Sequence, residues 1–237
     1  MTKPTPRFLC HGSLAVASEV ELSPEESHHL ARVLRLDVRA HVSLVNGTGS
    51  VAEAVIVEAS AKRARCVVNE VRVEPIKNRI TLAFAIPKSG ALDFIIHRCT
   101  ELGVSAFQPI VSKHSMAASA WNEERWNRII IEVSKQCQES HFPTLSSPQP
   151  LGAWIRSRKT DRDMVFCDEG DRSGVITFKP GFVGLDLLIG CEGGWSEEDR
   201  DCFKNIGHSL GLGPNRLRAE TSSIVALSLL KKLISEI

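Results

Sequence analysis

No part of this sequence approaches the roughly 18 to 20 consecutive apolar residues that a helix needs to cross a bilayer, so no membrane partner is expected. The segment Met1 to His11 carries Lys3 and Arg7 but no long apolar run behind them, which is not the pattern of a secretory signal. The seven cysteines, Cys10, Cys66, Cys99, Cys137, Cys167, Cys191 and Cys202, are scattered and form no C-x-x-C pair. That argues against a zinc ribbon and against a disulfide framework, and points to reduced, mostly buried thiols in a cytoplasmic protein. Excess charge is missing too. The net charge is +1, so a nucleic acid would have to meet a local basic patch rather than an overall basic field. There is no internal repeat and no low-complexity segment. The G-x-G-x-x-G, Gly-Lys-Ser/Thr and G-x-S-x-G patterns are absent, which disfavours a dinucleotide site, a triphosphate site and a serine hydrolase.

What is present is an ordinary globular composition, with 43% hydrophobic and 24% charged residues in 237, long enough for two domains. Residues 1–74 read as a small β-rich domain. Strands are expected over His41 to Val45, Val51 to Val57 and Ala64 to Val73, with a turn at Asn46-Gly47-Thr48-Gly49. One helix interrupts them. Ser23 is its N-cap, Pro24 its first residue, and the pattern runs on to Arg35. Pro75 to Asn78 is a boundary, and residues 75–237 read as a second domain. There, apolar runs of strand length (Ile80 to Ile86, Phe107 to Val111, Met164 to Cys167, Val183 to Ile189, His208 to Leu212) alternate with helical patterns over Leu92 to Leu102, Trp121 to Cys137, Ser196 to about Asn205, and Ala219 to Ile237. His141 to Pro150 reads as a loop. This alternation implies a parallel sheet covered on both faces.

Two segments carry candidate chemistry. Leu188 and Ile189 end an apolar strand that enters Gly190-Cys191-Glu192-Gly193-Gly194-Trp195 and then a capped helix at Ser196. Ligands of open α/β sheets bind beyond the carboxyl ends of strands, and glycines let backbone come close to them. Taken alone, the segment is equally well a tight turn that binds nothing. The second segment, Gly211-Leu212-Gly213-Pro214-Asn215-Arg216-Leu217-Arg218-Ala219-Glu220, repeats the plan and places two arginines before a helix, where the dipole does not favour a cation. It is either a solvated loop or a place where an arginine meets an anion. Two such junctions could enclose one ligand. His28 and His29 are neighbours on a helix and diverge by about 100°, so no metal site is expected. Trp121, Trp126, Trp154 and Trp195 could stack on bases or pack in the core; Trp195 stands out beside the glycine loop. Lys62-Arg63-Ala64-Arg65 is a short basic cluster that either touches phosphate or is a solvated turn.

Together these loops resemble the two signature loops of the SPOUT methyltransferases, and more closely those of the RsmE-type family, which methylates N3 of a uridine in small-subunit (16S) ribosomal RNA. Arg7-Phe8, His28 through Arg35, Ala85 through Lys88, Thr100 through Val104, Glu124-Arg125-Trp126 and Gln136-Cys137 also resemble that family's segments. The resemblance implies a PUA-like β-barrel at the N-terminus that helps hold RNA. It implies a SPOUT-type parallel sheet whose C-terminal chain threads a deep trefoil knot, and a homodimer. S-adenosylmethionine would be held by Leu188, Ile189, Gly190, Gly193, Gly194, Leu212, Gly213 and Leu217, largely through backbone groups. Arg7, Arg32, Arg35, Lys88 and Arg98 would face ribosomal RNA. Four positions depart from the family: Cys191 replaces a proline, Glu139 a basic residue, Arg98 a lysine, with the charge kept, and Arg39 a turn glycine.

Methylating N3 requires stabilising the imide anion. Each unit of pKa to be overcome costs about 1.4 kcal/mol, and a guanidinium beside O2 or O4 favours the anion. Arg218 is the first candidate, supported by Arg7 or Arg98, with Glu192 or Glu220 orienting an arginine or accepting the proton. Two alternatives remain open at this stage: methylation of a ribose 2′-hydroxyl, and a catalytically idle RNA-binding protein of the same fold.

Overall fold

A computed structural model describes residues 5–76, 80–88, 90–168 and 183–234. The chain forms two compact units, Met1–Ile76 with Ile131–Phe142, and Lys77–Ile130 with Pro143–Ile237. Sequence reasoning places one cut near Pro75 to Asn78, of which Lys77 and Asn78 lie outside the described residues. It has no means of seeing that a distant segment returns to the first unit.

In the first unit the strands β1 (Arg7–Leu9), β2 (Glu19–Glu21), β3 (His41–Val45), β4 (Ser50–Ala59) and β5 (Ala64–Val73) form one sheet in the order β1-β3-β4-β5-β2. The β3–β4 turn is set by Asn46, whose Oδ1 accepts from the backbone N–H of Thr48 at 2.9 Å and of Ser50 at 3.0 Å. Gly47 and Gly49 there take φ of 76° and 102°, which a side chain would resist. Phe8, Leu30, Val42, Leu44 and Ile56 are fully buried in the unit's core. β1 and β2 escaped the sequence pattern because three residues show no period.

Helix α1 (Pro24–His28) starts as expected, with Ser23 Oγ accepting from Glu26 N at 3.2 Å. It is shorter than expected. The chain widens into a single π turn, His29–Val33, closed by Leu34 N donating to His29 O at 2.9 Å, and Arg35 adopts φ 53°. The left-handed step ends the helix. Arg39 also takes a left-handed φ of 74°, a conformation that favours glycine, so the turn stands at the cost of some strain.

In the second unit the strands are β6 (Ile80–Ala85), β7 (Ala106–Val111), β8 (Thr144–Leu145), β9 (Gln149–Pro150), β10 (Asp163–Cys167), β11 (Leu185–Ile189) and β12 (His208–Leu210). The sheet runs β12-β10-β11-β6-β7-β8, with β9 also on β7, and every pairing is parallel. The helices are α2 (Ala91–Glu101), α3 (Glu123–Gln136), α4 (Leu151–Ser157), α5 (Glu197–Phe203) and α6 (Ala219–Leu233). The expected extension of α6 to Ile237 reaches beyond the described residues. Gly103, with φ 72°, stops α2 where expected. The segment assigned as a loop contains β8 and β9, and α4 went unread; its seven residues include Gly152 and are too few to show a helical period.

The amino-terminal end of the sheet is tied by a buried ion triad. Asp186, on β11, accepts from Arg158 Nε at 3.1 Å and from Arg162 Nε at 2.7 Å. Arg162 Nη2 also donates to Leu185 O at 2.7 Å and Thr81 Oγ1 at 3.1 Å, linking β11 to β6. The carboxylate is 5% exposed and the guanidiniums 7% and 18%. The opposite end carries the loops.

Candidate active site

Because β12, β10 and β11 are adjacent and parallel, their carboxyl ends open side by side. The two glycine loops leave β11 and β12, which flank β10. They wall one cavity of about 290 Å³. The first loop contributes Ile189, Gly190, Cys191, Gly193, Gly194 and Trp195. The second contributes every residue from Leu210 to Leu217, followed by Ala219 and Ser222 of α6. Cys167 and Asp168 from the end of β10 and Arg200 from α5 complete the wall. Seven of the residues expected at the cofactor therefore come together: Ile189, Gly190, Gly193, Gly194, Leu212, Gly213 and Leu217. Leu188 does not join them. It is fully buried in the core beneath the loop, since strand neighbours point to opposite faces.

The loop conformation depends on its glycines. Gly194 and Gly213 adopt φ of 62° and 110°. A Cβ on Gly193 would lie 2.7 Å from Cβ of His114, whose Nδ1 is 3.0 Å from Gly193 O. A Cβ on Gly190 would lie 3.2 Å from Nε1 of Trp195. That indole is 4% exposed, stands edge-on to Phe203 at 5.3 Å, and its Nε1 has no hydrogen-bond partner among the described residues. Ser196 and Asp199 form a reciprocal capping box that starts α5. Cys191 is buried, and burial pushes its thiol above the usual range.

Charged groups brace the rim. Arg216 Nη2 donates to Glu192 O at 3.0 Å, joining the two loops. Glu192 Oε2 accepts from Lys88 N at 3.2 Å. Asp168 receives a two-pronged bond from Arg200, at 2.8 Å and 3.0 Å. Sequence reasoning missed Asp168 and Arg200, although the rule that ligands sit beyond strand ends would have found Asp168, the residue after β10. A second cavity, of about 730 Å³, is lined by Gly90, Ala91, Phe94, Glu192, Arg216, Leu217, Arg218 and Glu220. Arg218 precedes α6 and is exposed. Its guanidinium makes no hydrogen bond or ion pair among the described residues.

The other candidates are dispersed. Arg7 belongs to the first unit and is 9% exposed; its Nη1 donates to Glu139 O at 2.9 Å. Burial draws its guanidinium below the ordinary value, with the Glu74 carboxylate opposing. It acts there as an internal brace. Glu139 itself accepts from Ser140 N at 3.0 Å. Arg32 and Arg35 are exposed on and after the π turn, and Lys88 is exposed. Arg98 pairs with Glu101 at 2.8 Å and lies 5.4 Å from the Phe94 ring centre. In the basic cluster, Arg63 pairs with Glu21, and Arg65 with Glu19 and Glu58, so much of its charge is neutralised. Trp126, Trp154 and Trp195 are buried packing residues. Among the described residues no helix is long and apolar enough to cross a membrane.

A parallel α/β unit with a two-loop ligand pocket at its strand ends, joined to a small β-sheet unit, is the architecture of an RNA-modifying transferase of the SPOUT type. A model of the RNA methyltransferase domain matches residues 74–231, and one of the RNA methyltransferase PUA domain matches residues 22–69. The chain belongs to the RNA methyltransferase family. It is 29% identical over 230 residues to the ribosomal RNA small subunit methyltransferase E of Bacillus subtilis, covering 90% of this chain and 89% of the relative. To the protein of the same name from Synechocystis it is 27% identical over 226 residues, covering 92% and 75%. Among solved structures, a putative methyltransferase from Legionella pneumophila in complex with the bound cofactor SAM matches with a TM-score of 0.87 at 27% identity, covering 97% of this chain and 98% of that one.

Proposed function

We propose that this protein transfers a methyl group from S-adenosylmethionine to N3 of a uridine in small-subunit ribosomal RNA. The observation that carries the reading is the single cavity walled by both glycine loops at adjacent strand ends, in a chain whose relatives are named for small-subunit ribosomal RNA methylation and whose solved relative holds SAM. The lining suits that cofactor. Ile189, Leu212, Leu217 and Trp195 offer apolar surface for a purine ring, the glycine backbones offer close-range donors and acceptors, and the Asp168 carboxylate, held by Arg200, lines the same cavity. When bound, the cofactor supplies an electrophilic methyl group on a sulfonium.

The rest is the work of the chain. Arg218, without a partner at the rim among the described residues, donates charge-assisted hydrogen bonds to a uracil oxygen and holds the imide as its anion. Arg216 and Glu192 lock the two loops together, so the cavity is formed before a ligand arrives. Glu192 or Glu220, both at the second cavity, takes the N3 proton. Arg32, Arg35 and Lys88, exposed as they are, meet phosphates. The homodimer, the deep trefoil knot and a cytoplasmic location belong to the same reading.

Calorimetry with S-adenosylmethionine, followed by nucleoside mass spectrometry of small-subunit RNA from cells with and without the protein, tests it. The expected result is cofactor binding and a 3-methyluridine that disappears with the protein. A missing 2′-O-methyl nucleoside instead, or no bound cofactor, would sink the proposal.

A further inference from the structure

Resting on the function proposed above, we infer that the second cavity seats the acceptor uracil and that Phe94 is the face on which the base stacks. The cavity shares Arg216 and Leu217 with the glycine-loop cavity, so a base seated in one lies against a common wall with the other. Its volume of about 730 Å³ falls in the range of small-ligand sites, roughly 300–1,000 Å³.

Its chemistry points to a uracil rather than to a second protein surface. The Watson–Crick edge of uracil reads acceptor, donor, acceptor. The wall offers the Arg218 guanidinium as donor, with Arg216 locking the loops beside it, and two carboxylate acceptors, Glu192 and Glu220. Cytosine presents a donor where uracil has O4 and would face an arginine there. Phe94 is the one aromatic residue of this wall among the described residues and is 45% exposed, on the first turn of α2. The ring is only partly covered within the second unit, and every base has a π-face to place on its exposed side. Arg98 lies 5.4 Å from the ring centre and is itself held by Glu101 at 2.8 Å and 3.0 Å. The contact with this held guanidinium restrains the ring before RNA binds.

Methyl transfer from tritiated S-adenosylmethionine to small ribosomal subunits purified from cells lacking this protein tests the assignment, with the intact chain and its Phe94→Ala, Phe94→Leu and Phe94→Tyr variants. Stacking contributes enough that kcat/KM should fall about tenfold or more in the Ala and Leu variants and return to within about threefold of wild type in the Tyr variant. Cofactor affinity and sedimentation should not change. A fully active Leu variant, or a Tyr variant as impaired as Ala, overturns the stacking role. So does a change of sedimentation in the Ala variant, which would mean that a second copy of the chain covers Phe94. If wild-type protein binds cofactor but methylates no uridine N3, the functional reading fails first.

Discussion

Single atoms decide the behaviour of the glycine loop. A Cβ on Gly193 would sit 2.7 Å from His114 Cβ, closer than van der Waals contact permits, and Gly193 is itself part of the cavity wall. Gly193→Ala is expected to weaken cofactor binding by about tenfold or more, measured by calorimetry, with an unchanged far-UV spectrum, since a misplacement of about 1 Å is costly at a preorganised site. Arg218 makes the opposite case. It makes no bond that holds the fold among the described residues, so Arg218→Ala should lower methyl transfer by roughly a hundredfold or more and leave cofactor affinity within experimental error. Undiminished transfer in a radiometric assay would remove it from the mechanism. Most residues lining the loop cavity were legible in the sequence because two glycine-rich turns, each following an apolar strand and leading into a helix, mark where backbone can approach a ligand. Arg7 was not, because no local pattern tells a brace 9% exposed from a cation waiting for phosphate. Nor were Asp168 and Arg200, whose pairing joins two segments 32 positions apart.

At the scale of elements, strength and legibility separate. The β5 bounds, Ala64–Val73, follow directly from alternating apolar residues, and the parallel sheet follows from its alternation with helices. The triad of Asp186, Arg158 and Arg162 leaves no such trace, yet it ties β11 to the chain before β10 and to β6. Removing the carboxylate strands two largely buried guanidiniums, and breaking a buried pair in this way costs about 3–5 kcal/mol. Asp186→Ala should therefore lower the urea unfolding midpoint sharply, whereas Asp186→Asn, which keeps an acceptor, should fall between the two. A midpoint unchanged in the alanine variant would show that water reaches these arginines. Helix α1 shows where local rules stop. Ser23 and Pro24 announce its start, but the π turn that ends it depends on Leu30 reaching the core, a tertiary demand.

For the whole molecule, the informative feature is that the first unit is assembled from two stretches of chain. Residues 131–142 return to it and bring specific bonds: Lys135 pairs with the buried Glu26, Ser140 Oγ donates to Glu74 at 3.0 Å, His141 Nε2 meets Glu74 O at 2.8 Å, and Gly49 N donates to Ser140 O at 3.0 Å. A fragment of residues 1–76 keeps all five strands but loses these partners, including those that Arg7 and Glu26 find in the returning segment. It should unfold at a distinctly lower temperature than the same unit in the intact chain, by circular dichroism, because uncompensated buried charge is among the costliest defects a small domain can carry. An equally stable fragment would make the returning segment dispensable.

This arrangement also sets an order of events on the ribosome. Domains ordinarily close in the sequence in which they are made. Here the earliest unit must wait, open at its Arg7 edge, until Phe142 has been translated, by which time β6, α2, β7 and α3 have already emerged. The nascent chain therefore passes through a long interval in which a five-stranded sheet still without its partners from the returning segment coexists with the opening half of a second one. A pause or a truncation anywhere between positions 77 and 142 would damage both units at once.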